Sequence, residues 1–278
     1  MAAVLVVVVA AAVAIPLTLE SGTSSPAISP AALAVRTADQ VNLHQSEFPA
    51  GWTVDTSPTG PLSGFLSNSG SSNSKAKAHT TPTSGTSSNS GAGSQAKRAF
   101  ELCLGISNFS GSILGSGSVP PIGKASSPAF AAPSSGPTVV EAGSSTTVFS
   151  SDAPVTAGVD LITMPKFPGC FGTFVGQLLV ESGSGGSTKV TFGAPSVATL
   201  KLPATPGVTT VGVDVTVPVQ GASQATSVQL GVVMIGGGRI ETTMYTFALG
   251  TVFPALLSLS LSSALGHRVA TANTAVST

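Results

Sequence analysis

Charge is the scarcest resource of this 278-residue chain: Asp, Glu, Lys and Arg together make up 8% of it, against about 25% in ordinary soluble domains. The 11 basic and 11 acidic residues cancel. The basic ones are scattered, so no cluster of Lys and Arg is available to neutralise phosphates, and nucleic acid is excluded as a partner. Imidazole is limited to His44, His79 and His267. Aromatics are sparse as well, with one Trp, one Tyr and 12 Phe. The only cysteines, Cys103 and Cys170, lack the neighbouring Cys or His of a zinc site.

The missing residue types remove whole classes of chemistry. There is no G-x-S-x-G, and no S-x-x-K with its accompanying catalytic elements. A general base must be held within about 3 Å of its proton donor. His44 lies close to a predicted tether and His79 in a low-complexity tract, while His267 with Arg268 is expected to complement the dipole at the end of a last helix. No two acidic residues are closer than eight positions, which excludes a local calcium loop. "MIGGGRIE" lacks both G-x-G-x-x-G and the Gly-Lys-Ser/Thr of a phosphate loop, and is expected to be a hairpin turn. "NFS" at 108–110 fits a glycosylation sequon by chance. No catalytic residue, metal or cofactor is expected.

What is present begins at the amino end. Residues 2–19, "AAVLVVVVAAAVAIPLTL", carry no charge, and as a helix they nearly span a hydrocarbon core of about 30 Å. The leading reading is an uncleaved membrane anchor. A cleaved signal is the second, because "ALA" at 32–34 has the small-x-small pattern, though fifteen residues past Leu19. A buried helix is the third. The absent Lys/Arg n-region would follow from a start codon placed too far downstream. No Cys follows the run, so no lipid attachment is expected there. The bias toward Ala, Val, Gly, Ser and Thr is that of an exported protein of a GC-rich bacterium.

Residues 20–40, rich in Ser, Pro and Ala, are expected to be a tether, followed by one domain over 41–272 and a tail at 273–278. Residues 67–95 hold no apolar side chain larger than Ala, too little to offset their ordering entropy, and predict a mobile insertion within that domain. "FPAGWTVDTS" before it predicts a strand with Trp52 and Val54 in alternation. "QAKRAFELCLGIS" places Ala99, Leu102, Cys103 and Ile106 on one helical face. Residues 137–151 predict a strand, 152–164 a short helix opened by Asp152 and Pro154, and 168–183 a second helix with Cys170 in its opening turn.

The last hundred residues are the most patterned. Val211, Val213, Val215, Val217 and Val219 recur at period two, the signature of a strand with one buried face. Residues 227–250 form two apolar runs joined at Gly236, Gly237 and Gly238, a predicted hairpin. A closing helix carries Phe253, Leu256, Leu257, Leu261, Ala264 and Leu265 on one stripe. The sum predicts an α+β domain, an antiparallel β-sheet with helices packed on its faces.

Two thiols in an exported chain favour one disulfide between Cys103 and Cys170; two buried free thiols, or redox or metal chemistry, are the alternatives. "FPAGW", "ELCLG", "ASSPAF", "VVEAGSSTTVFSS", "FPGC" and the terminal "ALGHRVA", in that order over about 41–272, resemble a group of actinobacterial exported proteins. The group includes lipoproteins and the extracellular sensor domains of mycobacterial serine/threonine kinases, and more distantly the PsbP-like fold. The resemblance implies that Cys103 pairs with Cys170, and that the chain is a noncatalytic domain facing the cell envelope with a ligand groove between sheet and helices. The functional expectation is an extracytoplasmic module held at the cell membrane through residues 2–19, or secreted if that segment is cleaved. Its partner would be a small molecule, a lipid, or another envelope component or protein. A cell-envelope hydrolase with a non-local active site and a protein-interaction domain are the competing classes.

Overall fold

The computed structural model describes residues 29–56, 94–107, 119–134, 136–183, 191–220 and 226–276. The apolar run 2–19, His79, the sequon at 108–110 and all but the last two residues of the 67–95 tract lie outside them.

Nine antiparallel strands form one sheet in the order β1-β3-β4-β9-β8-β7-β5, with β2 also on β4 and β6 also on β7. The central strands are β4 (Val139–Val148), β7 (Thr209–Gln220), β8 (Thr226–Gly237) and β9 (Ile240–Leu249). Short pieces complete each edge: β1 (Thr53–Asp55), β2 (Gly123–Ser126) and β3 (Ala129–Ala131) on one side, β5 (Thr191–Phe192) and β6 (Ser196–Leu200) on the other. The β8–β9 turn is at Gly238, whose φ of +51° suits a residue without Cβ.

Five helices cover both faces: α1 (Pro30–Val41), α2 (Ser94–Leu104), α3 (Ala153–Ile162), α4 (Phe167–Gly183) and α5 (Ala255–Val276). The architecture is α+β, as expected. One core joins α1 and α5 to Val233, Ile235, Ile240 and Met244. The other joins α2, α3 and α4 to Val213, Val215, Val217, Val232, Met234 and Tyr245. Val232 to Ile235 thus alternate between two cores, which is why β8 is an unbroken apolar run where β7 is strictly alternating.

Residues 30–40 are not a tether. Ser29 caps α1 by accepting a hydrogen bond from the Ala32 N–H at 3.2 Å, Pro30 opens the helix, and Ala34, Thr37, Ala38 and Val41 are buried. The approach to β2 is close: a Cβ on Gly123 would overlap the Ala34 backbone. The domain therefore includes residues 29–40, and α5 continues through most of the expected tail, to Val276.

Three faces differ from expectation. In α2 the buried residues are Ala96, Phe100 and Leu104, whereas Leu102 is 82% exposed and Cys103 is also exposed. Phe100 sets the phase because it packs among Phe167, Phe171 and Phe174, with ring centroids 5.2–6.3 Å apart. Of the stripe expected for the closing helix, Phe253, just ahead of α5, and Leu261 and Leu265 within it are buried, but Leu256 is 84% exposed. Trp52, just ahead of β1, is buried beside Phe48 and Phe253, and Val54 within the strand is 38% exposed on the sheet edge.

Candidate functional site

Cys103 and Cys170 form a disulfide with Cα atoms 5.7 Å apart, closing a sequence separation of 67. Cys170 is buried in the first turn of α4, and Cys103 stands on the outer side of α2. α2 is thus held to α4 by the bond, by the Phe100 cluster and by the Ala96 N–H, which donates to Glu181 Oε1 at 3.0 Å. Oxidised in this way, neither sulfur is a nucleophile or a metal ligand. No group of three or more His, Cys, Asp or Glu suited to a metal occurs among the described residues.

The histidines have structural surroundings. His44 follows α1 directly and opens a 3-10 turn, where its N–H donates to Glu47 Oε2 at 2.7 Å. His267 lies well inside α5, not at its end. Arg268 does not act on the helix dipole. Its Nη2 forms an ion pair with Glu47 Oε1 at 2.7 Å, and its Nη1 donates to the Asn42 carbonyl at 2.7 Å. That pair is partly exposed and worth no more than about 1 kcal/mol, so its main effect is to fix the end of α1 against α5.

Asn42 is the hub of that junction. Its Oδ1 accepts from Ser144 Oγ at 3.0 Å and Thr146 Oγ1 at 2.8 Å, Thr146 also meets Thr242 at 3.0 Å, and Ser144 Oγ accepts from the Leu43 N–H at 2.8 Å. All of these side chains are fully buried. On the same face, Asp214 and Thr246 reach over Gly231, where a Cβ would overlap Thr246 Oγ1. Gln229 links Asp214 to the segment leading into α5: its amide donates to Asp214 Oδ2 at 3.2 Å and its carbonyl accepts from the Phe253 N–H at 2.7 Å. Burial holds the Asp214 carboxyl above its ordinary value, opposed by the Gln229 hydrogen bond.

The opposite face carries the larger polar group. Register places Lys124 beside Thr147 and Thr147 beside Glu241, then Ser126 beside Ser145 and Ser145 beside Thr243, with Tyr245 one step further along β9. Glu141, Ser145, Thr147, Glu241, Thr243 and Tyr245 are all buried. Burial lowers the Lys124 pKa, and the Glu241 charge opposes that shift. The Tyr245 hydroxyl is pushed up by burial and by Glu241, against a hydrogen bond with Thr243. α3 packs on β8 and α4 on β5 to β7, so this polar group occupies the part of the face beside those helices.

The spacing defines what this group can do. Glu241 pairs with Thr147, six residues along β4 from Glu141, which separates the two carboxylates by about 20 Å. Paired-carboxylate glycoside hydrolysis uses separations of about 5–9.5 Å, so these two do not form such a pair. The strip instead sets hydroxyls, one phenol, a half-buried amine and two separated carboxylates side by side as hydrogen-bond donors and acceptors. The sequence signal for it was the alternation of Glu241, Thr243 and Tyr245 in "IETTMYTF".

No helix among the described residues is long and apolar enough to cross a membrane. No family model matches the chain, and no curated protein matches it. Among solved structures, it is similar to the extracellular domain of PknH from Mycobacterium tuberculosis, with 10% sequence identity and a TM-score of 0.29 over 63% of this chain and 91% of that one.

Proposed function

We propose that the chain is a noncatalytic extracytoplasmic module, held at the cell membrane by residues 2–19, that binds a small molecule, a lipid or a cell-envelope component. The observation that carries the reading is the Cys103–Cys170 disulfide, because such bonds persist in oxidising compartments and are reduced in the cytosol. Two further features support it. Cleavage after "ALA" at 32–34 would remove the Ser29 cap and Ala34, which packs against Gly123, so α1 favours retention of the amino-terminal segment. The polar strip on β2, β4 and β9 supplies donors and acceptors for a ligand without a nucleophile–base pair.

The test is native mass spectrometry of the full chain extracted from membranes in mild detergent. The proposal expects an adduct that is lost in the Thr243→Val and Ser145→Ala variants while their unreduced thiol content stays at zero. A bare mass from gentle extraction would count against ligand binding. Turnover of envelope substrates by the purified chain would contradict the noncatalytic reading.

A further inference from the structure

The first two turns of α1 are unusual for a helix amino terminus. Acidic residues are favoured there by the helix dipole, yet none is present in the first turn. Pro30, Ala31, Ala32, Leu33 and Val35 are all exposed, with Leu33 at 52% and Val35 at 45%. The exposed cation Arg36 follows, and the first acid, Asp39, comes a turn later. This tip is apolar with a basic collar.

Its place in the fold can be fixed. Ala34 lies against Gly123, which pairs with Val148 and through it aligns with Ile240, the first residue after the β8–β9 turn. Asn42, at the other end of α1, reaches Ser144 and Thr146, further from that turn. The helix therefore runs along the strands with its tip at the turn end of the sheet. Trp52 belongs to the opposite end. It packs on Phe253, whose N–H is held by Gln229, and Gln229 pairs with Ala248. Eight residues of β9 separate Ala248 from Ile240, about 25 Å.

The chain before α1 supplies the occupant. The uncharged apolar run ends at Leu19 and α1 begins at Pro30, so only residues 20–29 join them. Ten residues cannot reach beyond about 35 Å even when fully extended. We propose that the turn end of the domain faces the lipid bilayer and that the tip of α1 rests on it, with Leu33 and Val35 in the headgroup layer and Arg36 directed to the lipid phosphates. Apolar contact with a basic rim is how interfacial helices bind, and two side chains suffice when the chain is already tethered. The inference rests on the reading that residues 2–19 enter the bilayer and are retained.

The experiment uses the full chain reconstituted into liposomes with brominated acyl chains, which quench tryptophan at short range. Trp52 is a built-in reference at the far end. Leu33→Trp and Leu256→Trp add a second indole at exposed positions, the tip of α1 and the opposite end. We expect the Leu33→Trp chain to float with the liposomes and to lose on the order of half the emission it adds, as for an indole in the headgroup layer, while Trp52 and the Leu256→Trp indole keep theirs. Flotation with equal quenching at both positions, or with quenching only at 256, would overturn the orientation and leave the anchor reading intact. Failure of the chain to float would overturn the anchor reading itself, and the inference with it.

Discussion

The two faces of the sheet are held by different means. On the α1/α5 face, helices and strands are joined by polar contacts: the buried Asn42 on Ser144 and Thr146, and the partly buried Arg268 on Glu47 and Asn42 and Gln229 between Asp214 and Phe253. On the α2–α4 face, the Phe100 cluster and a covalent bond hold α2 against α4, with one hydrogen bond from the Ala96 N–H to Glu181 beside them. The difference follows chain connectivity. α1 is followed without interruption by its 3-10 turn and β1, whereas α2 lies between two Gly/Ser-rich stretches and has few contacts beyond α4. A staple is most effective where the unfolded chain has the most freedom to lose.

The comparison can be broken from either side. Removal of the disulfide in a Cys103→Ser/Cys170→Ser double variant has the largest expected effect, a loss of roughly 4 kcal/mol by the chain-entropy relation for a closed loop of this length. Urea unfolding measures it, and α2 should become sensitive to protease before α1 does. Equal protease sensitivity of both helices would show that the staple does not act locally.

On the other face, Asn42→Ala leaves Ser144 without its acceptor inside the protein and Thr146 with Thr242 alone, and should lower stability by about 1–3 kcal/mol. The same urea titration checks it, with protease sensitivity now appearing first at α1. Gly123→Ala should cost about 1–3 kcal/mol by pushing α1 off β2. A neutral outcome there would refute the close approach of Ala34.

The smallest effect is in pH dependence. Burial raises the Asp214 pKa, so the folded chain holds that proton more tightly than the unfolded chain does. Stability therefore falls as pH rises from the ordinary value of 3.8 through the folded value, the reverse of a salt-bridged carboxylate. Asp214→Asn should flatten the slope of unfolding free energy between about pH 4 and neutrality, by less than about 1 kcal/mol for a partly buried group. An unchanged slope would remove Asp214 as its origin.

The same comparison explains what could be read from the sequence. β7, β8 and β9 were legible because Val213, Val215 and Val217 alternate and Gly238 marks the turn. The α3 and α4 helices were legible from Asp152 and Pro154 at the start of one and Cys170 in the opening turn of the other. α1 was not, because its buried face is Ala34, Thr37 and Ala38 with Val41 as the one larger apolar side chain, too little to register as a stripe. Their burial depends on Gly123, far along the chain. The phase of α2 was misread because Cys103 and Leu102 look apolar, while the aromatic contacts of Phe100 decide the packing. The polar strip escaped notice since β4 carries Ser and Thr toward both faces. The junction of Arg268 with Glu47 joins residues 221 positions apart, which no local pattern reports.

The disulfide is the most direct point of attack on the account, since the compartment and the attachment of α2 both depend on it. The full chain, taken from the cell under acid quench and unfolded without reductant, is treated with an alkylating reagent and weighed intact. The account predicts no added mass, and addition of the reagent at both Cys103 and Cys170 only after reduction. Two alkylated thiols before reduction would contradict it.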